Sequence, residues 1–278
     1  MELSWIKSCI FGLISGFLDI IPVSAEAHRV LLLKFFGQKA ASDVMNLLIH
    51  AAELAALYYS SQTHLVRMRR ARELARVPKN KRKRPLDVRS MMDWSMLKTM
   101  MVPAVLGVLF RRYTTGLSSN LMLIALFLFM NGVILYLPQF FPTSNRDSRT
   151  LSRVEGILMG LGGMASAVPG ISAIGATTSI ASVCGVDRTY GLNMAIMMNM
   201  AIIAGAIAFD FLGIVNNGFG VFSFWILIRY IISAAAAFGG TMLGINIMRK
   251  LAAQQGYAVL GVYCWGLALF TFILNLIA

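Results

Sequence analysis

Long apolar runs cover most of this chain, and the places where they break recur in order. Stretches 43–61, 95–113 and 118–138, and again 190–213, 222–248 and 256–277, are each about long enough, at 1.5 Å per residue, to cross a hydrocarbon core of roughly 30 Å. Two further stretches, 3–37 and 153–185, are as apolar but are interrupted at Pro22 and at Pro169-Gly170. The pieces beyond those prolines are too short to span, so each stretch predicts a re-entrant helical hairpin. Irregular backbone at membrane depth persists only where it is buried in protein or lines a cavity.

The breaks share a spacing. Each proline has a glycine six residues before it (Gly16, Gly163), a serine two or three after it (Ser24, Ser172), and a glycine fifteen or sixteen after it (Gly37, Gly185). The chain therefore divides into residues 1–141 and 142–278, each one hairpin followed by three spans, with the polar segment Pro142 to Arg149 as the boundary. Three is odd, so the second half enters from the opposite face. The expected fold is an all-α polytopic membrane protein built as an inverted-topology repeat.

Composition agrees: 58% hydrophobic, 13% charged and a mean hydropathy of +0.71 exclude an ordinary soluble domain. The first segment lacks a small-residue cleavage site and is expected to stay. Three cysteines, Cys9, Cys184 and Cys264, lie far apart among apolar neighbours and suggest neither a disulfide framework nor a metal site. Much of the net charge of +13 sits at 62–98, in Arg67, Arg69, Arg70, Arg72, Arg76, Lys79, Lys81, Arg82, Lys83, Arg84 and Arg89. That stretch reads as a cytoplasmic loop set by the positive-inside rule, with anionic headgroups as secondary contacts. No folded module or interleaved aromatics accompany it, so nucleic acid is not an expected partner. Tracing from an external N-terminus puts Arg146, Arg149, Arg153, Arg249 and Lys250 on the same side and leaves Arg111, Arg112 and Arg229 outside.

The candidate chemistry lies in the breaks. Asp19, Ser24, Glu26 and His28 fall within ten positions of an apolar run, and intramembrane ionisable groups are functional sites by default. Ser24 and His28, four apart, would share a helix face, and helix starts after Pro22 and Pro169 would aim N–H groups at an anion. Glu26 has a second reading as an i,i+3 partner of Arg29. His50 and Glu53 read as an interhelical pair or as a second polar cluster facing the cavity. The run Gly156, Gly160, Gly162 and Gly163 lacks a P-loop lysine and reads as close helix packing, and Met194, Met197, Met198 and Met200 as apolar filler.

At Pro22-Val23-Ser24 with His28, and at Pro169-Gly170-Ile171-Ser172 with Gly175-Ala176-Thr177, the sequence resembles the bacterial undecaprenyl-diphosphate phosphatase (bacitracin-resistance) family. His50, the run Val102 to Phe110, Gly185-Val186 with Arg188, and Gly205 with Asp210 extend the likeness in order along the chain. Where that family carries two glutamates, a second serine and an arginine, this chain has Ser15, Asp19, Ala25 and Ala173, and the family's Tyr-Arg pair reads Tyr263-Cys264. The resemblance implies a bacterial inner-membrane protein acting on an isoprenoid lipid phosphate or diphosphate among membrane lipid. The catalytic candidates are then Asp19, Ser24 and His28, and the headgroup candidates Glu26, Ser172, Gly175 and Thr177, with Arg29 and Arg188 as cations that could compensate for the arginine missing at Ala173. A divalent cation and a homodimer are left open. So are two function classes: a lipid diphosphatase, and a non-hydrolytic binder or translocator of lipid phosphates, which Ala25 and Ala173 would favour.

Overall fold

The computed structural model describes residues 3–38, 40–142, 144–218, 223–254 and 256–277. Phe222, where the fifth span was expected to begin, lies outside them. Among the described residues the first half supplies α1 (Trp5–Ile20), α2 (Ala25–Phe35), α3 (Asp43–Ala75), α4 (Val88–Thr114) and α5 (Leu121–Tyr136). The second supplies α6 (Arg153–Met164), α7 (Ala173–Val183), α8 (Arg188–Asn217), α9 (Phe224–Ala253) and α10 (Ala258–Ile277). Each half is thus two short helices across a proline break followed by three further helices. Among the described residues five helices, within α4, α5 with its following turn, α8, α9 and α10, are long and apolar enough to cross a membrane. The chain is a multi-pass membrane protein.

Helix α3 is not among those five, because Asp43, His50 and Glu53 interrupt its apolar run. It also corrects the expected loop at 62–98. α3 continues to Ala75, a 3-10 turn covers Lys79–Lys81, and α4 starts at Val88, so most of the basic stretch is helical. Buried Met68 and Ala71 explain the extension, Met68 packing in the same core cluster as Met96 and Leu97 of α4. Arg72 lies over the Trp94 ring, and the Arg82 side chain closes the end of α3 by donating to the carbonyls of Ala75 and Val77.

The shared spacing has a local cause. Ser24 and Ser172 are the N-caps of α2 and α7, their hydroxyl oxygens accepting from Ala27 N–H and Gly175 N–H. Gly37 and Gly185, at φ 72° and 71°, follow the same helices. In both, the glycine N–H and that of the next residue bond back to the last turn (Gly37 to Lys34 and Gln38 to Leu33; Gly185 to Ser182 and Val186 to Ala181), which is a Schellman stop. Serine and glycine bracket a helix too short to need more.

The halves exchange their first helices. α1 packs on α9 and α6 on α4, while α3 meets α8 and α5 meets α10 across the middle. Small residues permit the approach: a side chain at Gly12 or Gly16 would run into the carbonyls of Ser233 and Ala237, and one at Gly160 into Met100 and Pro103. The glycine run of α6 is a packing surface, as its spacing suggests.

This packing predicts opposite outcomes for two similar substitutions. Gly16→Ala raises helix propensity yet forces a methyl against the Ala237 carbonyl, and overpacking of that kind costs about 1–3 kcal/mol. Gly239→Ala meets nothing and should be neutral or slightly stabilising. Thermal unfolding of the purified protein in detergent should show a lower midpoint for the first variant and not for the second.

Candidate functional site

Each break is a short, tight piece of backbone. After α1, Val23 N–H bonds to Ile21 O, and Ser24 takes φ 68°, a conformation that costs a non-glycine residue about 1–3 kcal/mol and persists only under surrounding constraint. After α6, a 3-10 turn and a bend at Val168 to Ile171, with Gly170 at φ 107°, lead into α7. The Thr114 hydroxyl at the end of α4 donates to the Ala167 carbonyl and ties that bend to the first half.

Between the breaks lies a polar cavity of about 130 Å³, lined by Asp19, Ala25, Glu26 and Arg29 from around the first break and by Pro169, Ser172 and Ala173 from around the second. His50 of α3, Arg111 of α4 and Asn199 of α8 add to its polar wall. Of the expected site residues, four therefore come together: Asp19, Glu26, Arg29 and Ser172.

The charges are matched in pairs. Arg29 donates to Glu53 Oε1 at 2.9 Å and to His50 Nε2 at 2.9 Å, and His50 Nδ1 lies 2.6 Å from Asp210 Oδ2. A guanidinium can only donate, so His50 Nε2 is the acceptor and the ring proton sits on Nδ1, facing Asp210. His50 and Glu53 are thus not bonded to each other; Arg29 joins them. Glu26 pairs with Arg111 at 3.1 Å rather than with Arg29. Asp19 Oδ2 accepts from the Asn199 amide at 2.9 Å.

The other expected residues stand elsewhere. Ser24 is buried at its cap and does not line the cavity. His28 does not meet the Ser24 hydroxyl: its Nδ1 donates to the Ser24 carbonyl at 2.8 Å, and its Nε2 accepts from Tyr263 OH at 2.9 Å. Its ring lines an apolar groove on the opposite face of α2, with Leu31, Leu32 and Phe35 at helical spacing. Gly175 gives room to Pro22, Thr177 donates to the Met159 carbonyl, and Arg188 to the Pro138 carbonyl. With Ala25, Glu26 and Arg29 on the cavity and His28, Leu31, Leu32 and Phe35 on the groove, α2 is a wall between a polar and an apolar space.

Sequence reasoning missed Arg111, counted only among the charges of the outer side, and Asn199, passed over within the methionine-rich run. An amide or guanidinium in an apolar run was the available signal. Among the described residues no group of three or more His, Cys, Asp or Glu is arranged to hold a metal ion, and of the two cavity-lining carboxylates, Asp19 and Glu26, Glu26 is engaged by Arg111.

A family model described as bacitracin resistance protein BacA matches residues 8–270. The chain belongs to that family. Among its relatives, the undecaprenyl-diphosphatase of Methanobrevibacter smithii is 24% identical over 272 residues, covering 96% of each chain. Undecaprenyl-diphosphatase 1 of Shouchella clausii is 25% identical over 282 residues, covering 98% of this chain and 96% of its own. The undecaprenyl-diphosphatase of Thermosipho melanesiensis is 24% identical over 266 residues, covering 96% and 98%.

The Arg29 pairing makes a testable prediction. Glu53 is fully buried, so Arg29→Met strands its carboxylate and should cost about 3–5 kcal/mol. Adding Glu53→Leu should recover most of that loss. Chemical or thermal unfolding of the two variants in the same detergent checks the order.

Proposed function

We propose that this chain is a lipid diphosphatase of the undecaprenyl type, with the diphosphate in the polar cavity between the two hairpins. The observation that carries this reading is where two alanines fall. Ala25 and Ala173 stand where the family pattern has a serine and an arginine, and both line the same cavity as Arg29 and Arg111. Two guanidiniums there can meet the oxygens of a diphosphate with paired donors, the function lost at position 173.

Hydrolysis breaks the bond between the bridging oxygen and the terminal phosphorus. A water oxygen takes its place, the lipid monophosphate leaves, and one proton leaves the water. Asp19 is the proton acceptor in this reading: one of its oxygens is held by Asn199, and it sits on the cavity wall. Ser172 Oγ accepts from Gly175 N–H and keeps its own proton to donate to a phosphate oxygen. Arg29 and Arg111 neutralise charge as it develops, the largest contribution in phosphoryl transfer. His28 belongs to the apolar side of α2, where the groove of about 480 Å³ is placed to hold the near end of an isoprenoid tail. The exchanged helix packing supports the inverted arrangement of the two hairpins.

A translocator is the second reading, favoured by a second polar cavity of about 260 Å³ lined by His64, Arg67, Asp93 and Asn193. His64 lies fourteen residues along α3 from His50, or about 21 Å, with the methionine-rich core of Met100, Met159, Met194 and Met198 beside it.

Purified protein supplied with undecaprenyl diphosphate should release inorganic phosphate, and Ala25→Ser combined with Ala173→Arg should raise the rate by about tenfold or more. One oxyanion-type contact is worth about 100-fold or more, while groups acting together contribute non-additively. Lipid phosphate crossing a proteoliposome membrane with no phosphate release, in both proteins, would favour the translocator.

A further inference from the structure

The two breaks are far apart in sequence, and one side chain holds both. Asn131 of α5 is fully buried. Its amide nitrogen donates to the Pro22 carbonyl at 2.9 Å and to Cys264 Sγ at 3.3 Å, and its oxygen accepts from Ser172 N–H at 2.9 Å. The orientation follows from the partners, because a carbonyl only accepts and a backbone N–H only donates. Pro22 O and Ser172 N–H lie where the helical ladders lapse, so each would be an orphan inside a bilayer. Both N–H directions of the Asn131 amide are used, on the Pro22 carbonyl and on Cys264, while its oxygen takes the Ser172 N–H.

The neighbouring contacts point the same way. A side chain at Gly175 would run into Pro22, so the two breaks touch. On α10, Tyr263 next to Cys264 holds His28 of α2. The α5 and α10 pair is therefore a brace behind both hairpins, and Asn131 is not on the cavity wall. We propose that Asn131 is the positioning residue that sets the separation of the two halves of the headgroup site. Through Pro22 it fixes the start of α2, which carries Glu26 and Arg29; through Ser172 it fixes the start of α7, which carries Ala173. The effect on turnover rests on the diphosphatase reading, whereas the coupling of the two breaks does not.

Amide hydrogen exchange and phosphate release on the full-length protein test this with Asn131→Leu, Asn131→Ala and, as a control elsewhere in the core, Leu97→Ala. Both Asn131 variants should quicken exchange about tenfold or more at residues 23–27 and, in parallel, at 170–175, as expected for the loss of a buried hydrogen bond at each, and leave 230–245 of α9 unchanged. Phosphate release from undecaprenyl diphosphate should fall through kcat more than KM, and fall further than in Leu97→Ala at a matched loss of thermal stability. Quickening at one break alone, or spread over the chain as the control spreads it, overturns the proposal. So does an activity loss no greater than the control's. A wild-type protein that releases no phosphate would remove the diphosphatase reading, and the exchange result would still decide the role of Asn131.

Discussion

The Arg29 guanidinium has to be neutralised where it is largely shielded from water, and the arrangement around the cavity follows from that constraint. A buried cation is tolerable only with a partner close by, so α2 has to lie against α3, where Glu53 and His50 wait. His50 in turn needs an acceptor for its Nδ1 proton, which brings Asp210 of α8 to the same point. Three helices from both halves are drawn to one guanidinium. The cavity beside it inherits a ready-made field, with Arg111 and Glu26 at its edge and Asp19 opposite.

Backbone chemistry supplies the second constraint. A proline break in a membrane protein exposes carbonyls and N–H groups that lipid cannot satisfy. Here serine caps, glycine stops and the Asn131 amide take up those groups, and the result is two short helices whose N-terminal ends approach from opposite halves. The apolar and polar faces of α2 then separate a polar cavity from an apolar groove with a single helix. An amphiphilic diphosphate is the kind of ligand such a partition suits.

Much of this was legible in the sequence. Among the described residues, five of the six expected spans fall on helices long and apolar enough to cross a membrane, the two broken runs each fall on a pair of shorter helices, and the recurrent proline, serine and glycine spacing marked two helices with the same caps and stops. The family likeness rested on those same residues. What could not be read was which way α2 turns. Its polar residues lie on two faces: Glu26 and Arg29 point to the cavity while His28 faces the groove, and only the position of Tyr263 on α10 decides this. The partner of Arg29 was equally hidden, since Glu26 is close in sequence but Glu53 lies nearer in space. The basic stretch read as a loop because charge masks the packing of Met68 and Ala71. Asn131 and Asn199 carried a signal, a lone amide in an apolar run, without any indication of what each would bond.

The central claim is that a lipid diphosphate lies between the two breaks, facing Arg29 and Arg111. An experimental structure of the protein with a methylene-bridged polyprenyl diphosphate tests it most directly. The account predicts phosphorus density within hydrogen-bonding reach of both guanidiniums and of Ser172, with the first isoprene units leaving past α2 toward the groove beside His28. Density for the diphosphate at the basic stretch around Lys79 to Arg84, or in the second cavity beside Asp93, with the space between the hairpins empty, would contradict it.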